Sequence, residues 1–308
     1  MKALLGVIAA ASLASVGFAS AGEARIDQAG WAAEKKTISL PNGQRLAYVE
    51  WGDRKGEPVI LLHGFTDTSR SWTQVLPSLS KFHVYVLDQR GHGAAAKPDC
   101  CYALADFAYD VKLFMDALKI ERASIAGHSL GSMIAFEFAA TYPDRIEKLV
   151  LAGATGLTPI AHGDWLATGA LSVEDEPDYE TGFLAEWLAA ASPEAFGGPS
   201  DGPAAPTPVD EIFLGYVVAE ARETPAPVWR GVARELIDTP VARLAPYVTA
   251  PTLIMAGTKD DLFPAEHQAA LRAALPQAEY REFLGLGHNL IWERPRLLGP
   301  VLADYLAR

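Results

Sequence analysis

The sequence predicts a doubly wound α/β fold, in which a mostly parallel β-sheet is covered by helices on both faces. Short continuous apolar runs recur along the chain, as expected of strands that are buried on both sides. Segments with apolar residues at helical spacing lie between these runs. The alternation breaks once, where a long helix-like segment precedes the last two strands. The first four continuous runs cover residues 58–62, 84–87, 123–126 and 148–152.

A β-hairpin is predicted ahead of the continuous runs. Residues 37–40 and 46–51 alternate in polarity, which is the pattern of half-buried strands. Pro41-Asn42-Gly43 lies between them and contains the residues that tight turns favour. The hairpin therefore supplies the first two strands, and the continuous runs supply the next four.

Two helices are predicted around the run at 123–126. One precedes this run, and the other follows it and ends at Tyr142-Pro143, because proline cannot continue a helix. The apolar positions are Phe107, Val111, Phe114, Met115 and Leu118 in the first helix and Met133, Ile134, Phe136 and Phe138 in the second.

The character of the sequence changes between residues 155 and 250, where helix-like segments replace strand-like runs. Runs at 252–255 and 278–284 then resume the sheet, and a helix with one apolar face closes the chain. We therefore expect an α/β core of residues 22–154 and 251–308. A helical cap of residues 155–250 is expected between its sixth and seventh strands.

The composition fits one large domain with a sizeable core. The chain has 308 residues, of which 50% are hydrophobic and 21% charged, and its formal net charge is -12. An acidic chain is repelled by nucleic acid and by anionic membrane surfaces, so neither is expected as a partner. The expected partner is a small molecule, and the sequence leaves the oligomeric state open.

Residues 1–21 have the three parts of a secretory signal sequence. Lys2 supplies the positive end, an apolar stretch follows, and Ala19-Ser20-Ala21 supplies the small residues of a cleavage site. A membrane anchor needs about 20 strongly apolar residues, whereas serines and alanines dilute this stretch. The pattern predicts cleavage after Ala21 and export to the periplasm or the medium, without a stable membrane anchor.

The two cysteines, Cys100 and Cys101, are neighbours in the sequence. Adjacent α-carbons lie about 3.8 Å apart, which is shorter than the usual span of a disulfide, so a bridge between them would be strained. We expect both to be reduced in a loop, although pairing between chains stays open. Neither has partners at the spacing of a metal site, and no metal is expected.

The segment from Gly127 to Gly131 reads Gly-His-Ser-Leu-Gly and lies between a predicted strand and a predicted helix. In this context the G-x-S-x-G pattern forms a sharp turn that exposes the serine hydroxyl above the carboxyl edge of the sheet. A serine hydroxyl is a weak nucleophile until a neighbouring base takes its proton. Ser129 is therefore the predicted nucleophile.

Histidine is the expected base, and the chain has seven. His288 follows the last predicted strand in a glycine-rich loop at the same edge as Ser129, so it is the predicted base. The base needs an acid to fix its tautomer. Asp260 follows the seventh strand at this edge and is favoured over Asp261, because a glycine precedes it and a proline follows it at the expected spacings.

The other histidines are interpreted as structural. His63 ends the first buried run, where it is expected to pack in the core or to fix the following loop. His92 lies in a turn and is also interpreted as structural. His128 is adjacent to Ser129, but the sharp turn points neighbouring side chains apart. The remaining three, which have no supporting residues around them, are His83, His162 and His267.

A tetrahedral oxyanion needs preorganised hydrogen-bond donors. The backbone N–H of Leu130 is one candidate, because Leu130 follows the predicted nucleophile. The backbone N–H of Phe65 is the other, because Phe65 follows the first buried strand and Gly64 permits a close approach of the backbone.

These residues together resemble the α/β-hydrolase superfamily, in its capped serine esterase and lactonase-like branch. The resemblance runs from about residue 37 to residue 308. It implies the chain order serine, aspartate, histidine for the triad, and hydrolysis of a small or medium carboxylic ester or lactone through an acyl-enzyme intermediate. It implies no metal or organic cofactor. The four motifs that carry it are His63-Gly64-Phe65, residues 88–93, residues 127–131, and residues 257–264 with His288.

Comparison within the superfamily removes some activities and keeps others. Haloalkane dehalogenases and epoxide hydrolases have an aspartate where this chain has Ser129, so they are excluded. Carbon–carbon bond hydrolases and haloperoxidase-like perhydrolases share the same triad and stay open. A receptor-like ligand binder with slow hydrolysis is a further alternative, which the complete triad and the signal sequence disfavour.

The cap is expected to cover the site and to supply an apolar pocket. Aromatic residues of the cap are the candidates, although packing inside the cap accounts for such residues equally well. The predicted pocket residues are Trp165, Trp187, Phe213 and Trp229.

Overall fold

The computed structural model describes residues 26–191 and 209–308. Eight strands of these residues form one sheet. They are β1 Lys36–Ser39, β2 Arg45–Gly52, β3 Pro58–Leu62, β4 His83–Asp88, β5 Ala123–His128, β6 Ile146–Ala152, β7 Thr252–Gly257 and β8 Glu279–Phe283. Their order is β1-β2-β4-β3-β5-β6-β7-β8. β2 pairs antiparallel with β1 and with β4, and the other neighbouring strands are parallel.

Helices connect and flank these strands. The α-helices of the described residues are α1 Leu104–Ala117, α2 Leu130–Thr141, α3 Trp165–Leu171, α4 Gly182–Ala189, α5 Glu211–Ala221, α6 Ala226–Asp238, α7 Ala265–Ala274, α8 Leu290–Glu293 and α9 Pro295–Ala307. Short 3₁₀ turns lie at Trp31–Glu34, Ser69–Trp72, Leu76–Leu79, Pro143–Arg145 and Val241–Tyr247. The predicted doubly wound fold is confirmed, and α2 ends just before Tyr142-Pro143.

Both faces of the sheet are covered by apolar side chains. In β3, Ile60 and Leu62 pack in one core cluster with residues of α1 and α2. Val59 and Leu61 pack in a second cluster with Trp72 and residues of α9. Because successive strand residues point to opposite faces, a strand that is covered on both sides needs apolar residues throughout, which explains the continuous runs in the sequence.

The strand register brings the carboxyl ends of four strands to one edge. Leu62 at the end of β3 pairs with Gly127 in β5, which in turn pairs with Leu151 in β6. Gly257 at the end of β7 pairs with Phe283 at the end of β8. The loops that follow β3, β5, β7 and β8 therefore meet at this edge.

The helices α3 to α6 lie between β6 and β7, so a helical cap interrupts the sheet between its sixth and seventh strands. The exact cap boundaries at residues 155 and 250 stay a prediction, and the predicted signal sequence at residues 1–21 lies outside the described residues. Within the described ranges, no helix combines the length and apolar character that a membrane span requires. Cys100 and Cys101 are exposed free thiols.

Candidate active site

Ser129 lies in the sharp turn between β5 and α2. Its φ of 52° is in the left-handed region, which costs energy for a residue with a side chain. The turn also requires glycine on both sides. A β-carbon on Gly127 would lie 2.0 Å from the Gly131 carbonyl oxygen, and one on Gly131 would lie 2.2 Å from the Leu62 carbonyl oxygen. The tight packing of this turn holds Ser129 at the carboxyl edge of the sheet.

His288 and Asp260 are hydrogen-bonded to each other at the same edge. The Nδ1 atom of His288 lies 3.0 Å from Asp260 Oδ2 and 3.1 Å from Oδ1, and both residues are buried. Asp260 Oδ1 also accepts the backbone N–H groups of Leu262 and Phe263, at 3.1 and 2.8 Å. Burial alone would raise the pKa of Asp260, but the hydrogen bond to His288 and the charges nearby lower it below its usual value. Asp260 is therefore an ionised acceptor that holds the proton of His288 on Nδ1.

The other ring nitrogen of His288, Nε2, is the candidate base. Ser129 and His288 line the same cavity. His288 Nε2 is buried and forms no hydrogen bond with the described residues, so its lone pair remains available as a base. No hydrogen bond joins it to the Ser129 hydroxyl in this structure, and such bonds often tighten only when substrate binds.

Two side chains that were given no catalytic role in the sequence hold the loop around His288. His128 Nε2 lies 3.0 Å from the His288 carbonyl oxygen, which only accepts, so Nε2 is the donor. The two carboxylate oxygens of Glu293 accept the backbone N–H of Gly287, at 2.9 and 3.1 Å. No sequence pattern indicates these contacts, because both bonds are made to backbone atoms of a loop that is irregular in sequence.

The loop after β3 approaches Ser129 at Gly64. A β-carbon on Gly64 would lie 3.2 Å from Ser129 Cβ, so glycine permits the close contact that the sequence suggested. Phe65 follows in this loop and lines the cavity. Leu130 is the first residue of α2, and the first N–H groups of a helix have no partner within it. The two predicted oxyanion donors thus belong to the two segments that flank Ser129.

His63 fixes the start of this loop, as its position at a strand end suggested. Its Nε2 accepts the backbone N–H of Gln89 at 3.1 Å, so the other ring nitrogen, Nδ1, donates to the Gly64 carbonyl at 2.8 Å. The Gln89 side chain donates to the His63 carbonyl at 2.8 Å. Burial lowers the pKa of His63 to about 3, so the ring stays neutral and keeps this pair of hydrogen bonds.

A cavity of about 650 Å³ opens above Ser129 and His288. The cap contributes aromatic and aliphatic side chains to its wall. Trp187 is fixed by a hydrogen bond from its Nε1 to the Thr66 hydroxyl, at 2.9 Å, and Trp165 also lines the cavity although it is partly exposed. The other apolar cap residues of the wall are Leu188, Ala190, Ala191, Val217, Val218 and Ala221.

Two of the four predicted pocket residues do not line this cavity. Phe213 is fully buried and packs against Trp292, with ring centroids 5.5 Å apart. Trp229 is also fully buried; its ring lies 4.9 Å from the ring of Phe65, and its Nε1 donates to the Tyr179 hydroxyl at 3.1 Å. Both belong to the apolar cores rather than to the cavity, because their helix faces point at the protein interior.

The described residues contain no group of three or more His, Cys, Asp or Glu side chains that could hold a metal ion. The titratable groups that line the cavity include Asp67, His128 and His288. The sequence did not indicate Asp67, which follows the oxyanion loop without any recognised pattern.

Comparisons with known proteins agree with this architecture. The family model described as the alpha/beta hydrolase fold matches residues 57–295. A serine hydrolase-like protein of Danio rerio is 33% identical over 152 residues, which make up 48% of this chain and 46% of that protein. The chain thus matches less than half the length of that relative.

Solved structures resemble this chain over most of its length. A hydrolase from Pseudomonas aeruginosa PA01 is 26% identical, with a TM-score of 0.75, and the match covers 90% of this chain and 100% of that one. An enol-lactonase from Burkholderia xenovorans LB400 is 22% identical, with a TM-score of 0.74, and the match covers 89% of this chain and 100% of that one.

Proposed function

The chain belongs to the alpha/beta hydrolase fold family, and from this membership we propose that it is a serine hydrolase that cleaves a small or medium carboxylic ester or lactone. The reaction would pass through an acyl-enzyme intermediate on Ser129. His288 would act as the base, and Asp260 would orient its ring.

One observation carries this proposal. A strained serine and a histidine whose Nδ1 is held by a buried carboxylate line the same cavity. A serine needs a neighbouring base to become nucleophilic, and the base needs an orienting group. These three side chains have the chemical types that acyl transfer requires, and the contact between His288 and Asp260 supports the proposed roles.

The reaction would run in two steps. Ser129 attacks the carbonyl carbon while His288 Nε2 takes the hydroxyl proton, and the leaving alcohol then receives this proton. The N–H groups of Phe65 and Leu130 stabilise the oxyanion. In the second step His288 takes a proton from water, which attacks the acyl carbon. The bond between the acyl carbon and Ser129 then breaks, the acid is released, and His288 returns the proton to the Ser129 oxygen.

The cavity supports a substrate of limited size. Ligand pockets for small organic molecules span roughly 300–1,000 Å³, and this cavity holds about 650 Å³. Trp165, Trp187 and neighbouring aliphatic residues give its cap side an apolar character, which suits an uncharged acyl or alcohol group. A lactonase among the structural neighbours and a serine hydrolase-like relative are consistent with this substrate class.

Three further proposals concern the whole chain. We propose that residues 1–21 direct export, to the periplasm or to the medium, and that residues 155–250 act as the cap of the site. The partner we propose is the small-molecule substrate.

Substitution of the nucleophile tests the proposed function. Ser129→Ala should abolish turnover of a short-chain p-nitrophenyl ester and labelling by a fluorophosphonate, because the attacking oxygen is lost. Circular dichroism should show an unchanged fold. Ser172→Ala, at an exposed serine that follows α3, serves as the control and should keep both activities. Ester turnover that survives in Ser129→Ala would overturn the assignment, and a panel of esters, lactones and diketones would identify the bond that is cleaved.

A further inference from the structure

Asp67 is a buried carboxyl group in the wall of the active-site cavity, and the mechanism above does not use it. It lies in the loop after β3, two residues beyond the oxyanion donor Phe65. A β-carbon on Gly64 would lie 2.9 Å from Asp67 Oδ2 and 3.2 Å from Ser129 Cβ. The carboxyl group and the nucleophile therefore approach the same point of the oxyanion loop.

The ring of His128 sets the electrostatic surroundings of Asp67. Because His128 Nε2 donates to the His288 carbonyl, the other ring nitrogen, Nδ1, carries a lone pair and no proton. This Nδ1 lies 4.0 Å from Asp67 Oδ2 and has no hydrogen-bond partner among the described residues. A lone pair that faces an ionised carboxylate is repulsive, whereas a neutral carboxylic acid carries no charge that opposes the lone pair.

The other charged neighbours do not neutralise an ionised Asp67. Glu220 of α5 adds negative charge nearby, and its own partner is Arg70, whose Nη2 lies 2.6 Å from Glu220 Oε1. Protonated His288 would favour the ionised form, but the imidazole must be neutral to act as a base. Burial is the largest effect, and it raises the pKa of Asp67 to about 7.

We propose that Asp67 is a substrate-facing acid, which is protonated in the active enzyme and donates a hydrogen bond to an oxygen of the bound ester. This inference rests on the proposed function and adds a residue to it. The proton stays on Asp67 throughout, so the residue stabilises and selects substrate without a proton-transfer step.

The charge of an ionised Asp67 would act against the reaction. The attack of Ser129 creates a negative oxygen next to the oxyanion loop, and a second negative charge in the wall of the same cavity would destabilise it. Activity should therefore fall as the pH rises and Asp67 ionises.

Asp67→Asn tests the proposal, because the amide has the same shape, donates hydrogen bonds and does not titrate in this range. We would measure kcat/KM for an alkyl ester between about pH 5 and pH 9, by chromatography of the product. The kcat/KM of the wild type should fall roughly tenfold or more on the alkaline side of this pH range, whereas the kcat/KM of Asp67→Asn should not fall there. Asp53→Asn, in an exposed turn, should show the wild-type decline. An alkaline decline in Asp67→Asn that matches the wild type would overturn the proposal.

A spectroscopic measurement separates this inference from the proposed function. The infrared difference spectrum of the wild type minus Asp67→Asn should contain the carbonyl stretch of a protonated carboxylic acid, and this band should disappear as the pH rises past about 7. The absence of the band below neutral pH would refute a neutral Asp67. If the band is present but the wild type hydrolyses no ester, the proposed function fails while the neutral acid at position 67 stands.

Discussion

At the scale of single residues, the pairing of Asp260 with His288 decides which ring nitrogen is basic. Both carboxylate oxygens lie within 3.1 Å of Nδ1, and an ionised carboxylate can only accept. The proton of the neutral ring therefore resides on Nδ1, and the lone pair on Nε2. An amide at position 260 could offer an N–H group to Nδ1 instead, which would stabilise the opposite tautomer.

We therefore expect Asp260→Asn to lower kcat for ester hydrolysis roughly a thousandfold or more, with a small change in stability because the side chain keeps its shape. Steady-state kinetics with a short-chain ester would measure this loss. Asp261→Asn is the matched control, because Asp261 is adjacent but exposed, and a loss of at most a few-fold is expected. Equal losses in the two variants would show that Asp260 does not orient the base.

The three residues proposed for the triad follow strand ends, and this position made them recognisable in the sequence. Ser129 and Asp260 each follow an apolar run, and His288 follows the last predicted strand. Because the ends of parallel strands meet at one edge, the three residues were predictable as a group. Asp67 was not predictable, because its surroundings come from distant segments of the chain. Glu293 holds a backbone N–H, and such a contact leaves no pattern in the sequence.

At the scale of elements, α5 of the cap is bound to the core by a partly buried ion pair. The guanidinium of Arg70, which follows β3, donates from Nε and Nη2 to Glu220 Oε1, at 2.9 and 2.6 Å. Arg70 is almost fully buried, and its guanidinium carbon lies 4.5 Å from the centre of the Tyr216 ring. Both Tyr216 and Glu220 belong to α5, so one arginine fixes the helix that supplies Val217 and Val218 to the cavity wall.

Removal of the acid would leave a buried positive charge without its partner. Glu220→Ala should therefore lower the free energy of unfolding by about 3 kcal/mol and raise KM more than it lowers kcat, because the cavity wall loosens while the triad stays intact. Urea unfolding and ester kinetics would measure these effects. Glu223→Ala removes an exposed acid just beyond the same helix and should change stability by less than about 0.5 kcal/mol. Equal free energies of unfolding for the two variants would show that the ion pair between Arg70 and Glu220 does not stabilise the protein.

The positions of the aromatic residues of the cap were only partly predictable from the sequences of its helices. Helical spacing identifies an apolar face, but it does not say whether this face meets the core or a cavity. Trp187 lies on the cavity, whereas Trp229 and Phe213 are fully buried in the cores. The difference depends on how the cap helices pack over the sheet, which their sequences do not determine individually.

At the scale of the whole molecule, three buried histidines link the fold to pH. Burial lowers the pKa of His63 and His128 to about 3 and the pKa of His92 to about 4, from the ordinary value of 6.5. The unfolded chain takes up protons below about pH 6.5 and the folded chain does not, so stability is lost as the pH falls from 6.5 towards 3 or 4. Asp67, whose pKa burial raises to about 7, works in the opposite direction, because its contribution is lost as the pH rises.

We expect the free energy of unfolding to fall between pH 7 and pH 5. Each of the three buried histidines lowers the free energy of unfolding by about 2 kcal/mol at pH 5. Asp67 raises it by about as much as one histidine lowers it. Urea unfolding at the two pH values would measure the net loss of roughly 4 kcal/mol.

The matched variants for this prediction are His92→Gln and His162→Gln. His92 is fully buried and His162 is exposed. His92→Gln should reduce the loss of unfolding free energy between pH 7 and pH 5 by about 2 kcal/mol, which is the contribution of one buried histidine. His162→Gln should leave this loss unchanged. Similar pH dependences in the two variants would refute the link between burial and acid sensitivity.

The sequence by itself determined the sheet, the place of the cap in the strand order, and the three residues proposed for the triad. These features follow from local composition, because a strand that is buried on both sides must be apolar throughout and the chain must turn where the strand ends. Only the tertiary structure decided that Asp67 lines the same cavity as Ser129, that Arg70 holds the cap, and that Trp229 belongs to the core. The physical reason is that desolvation and charge interactions depend on distances between segments far apart in the chain, and those distances exist only after the segments have packed.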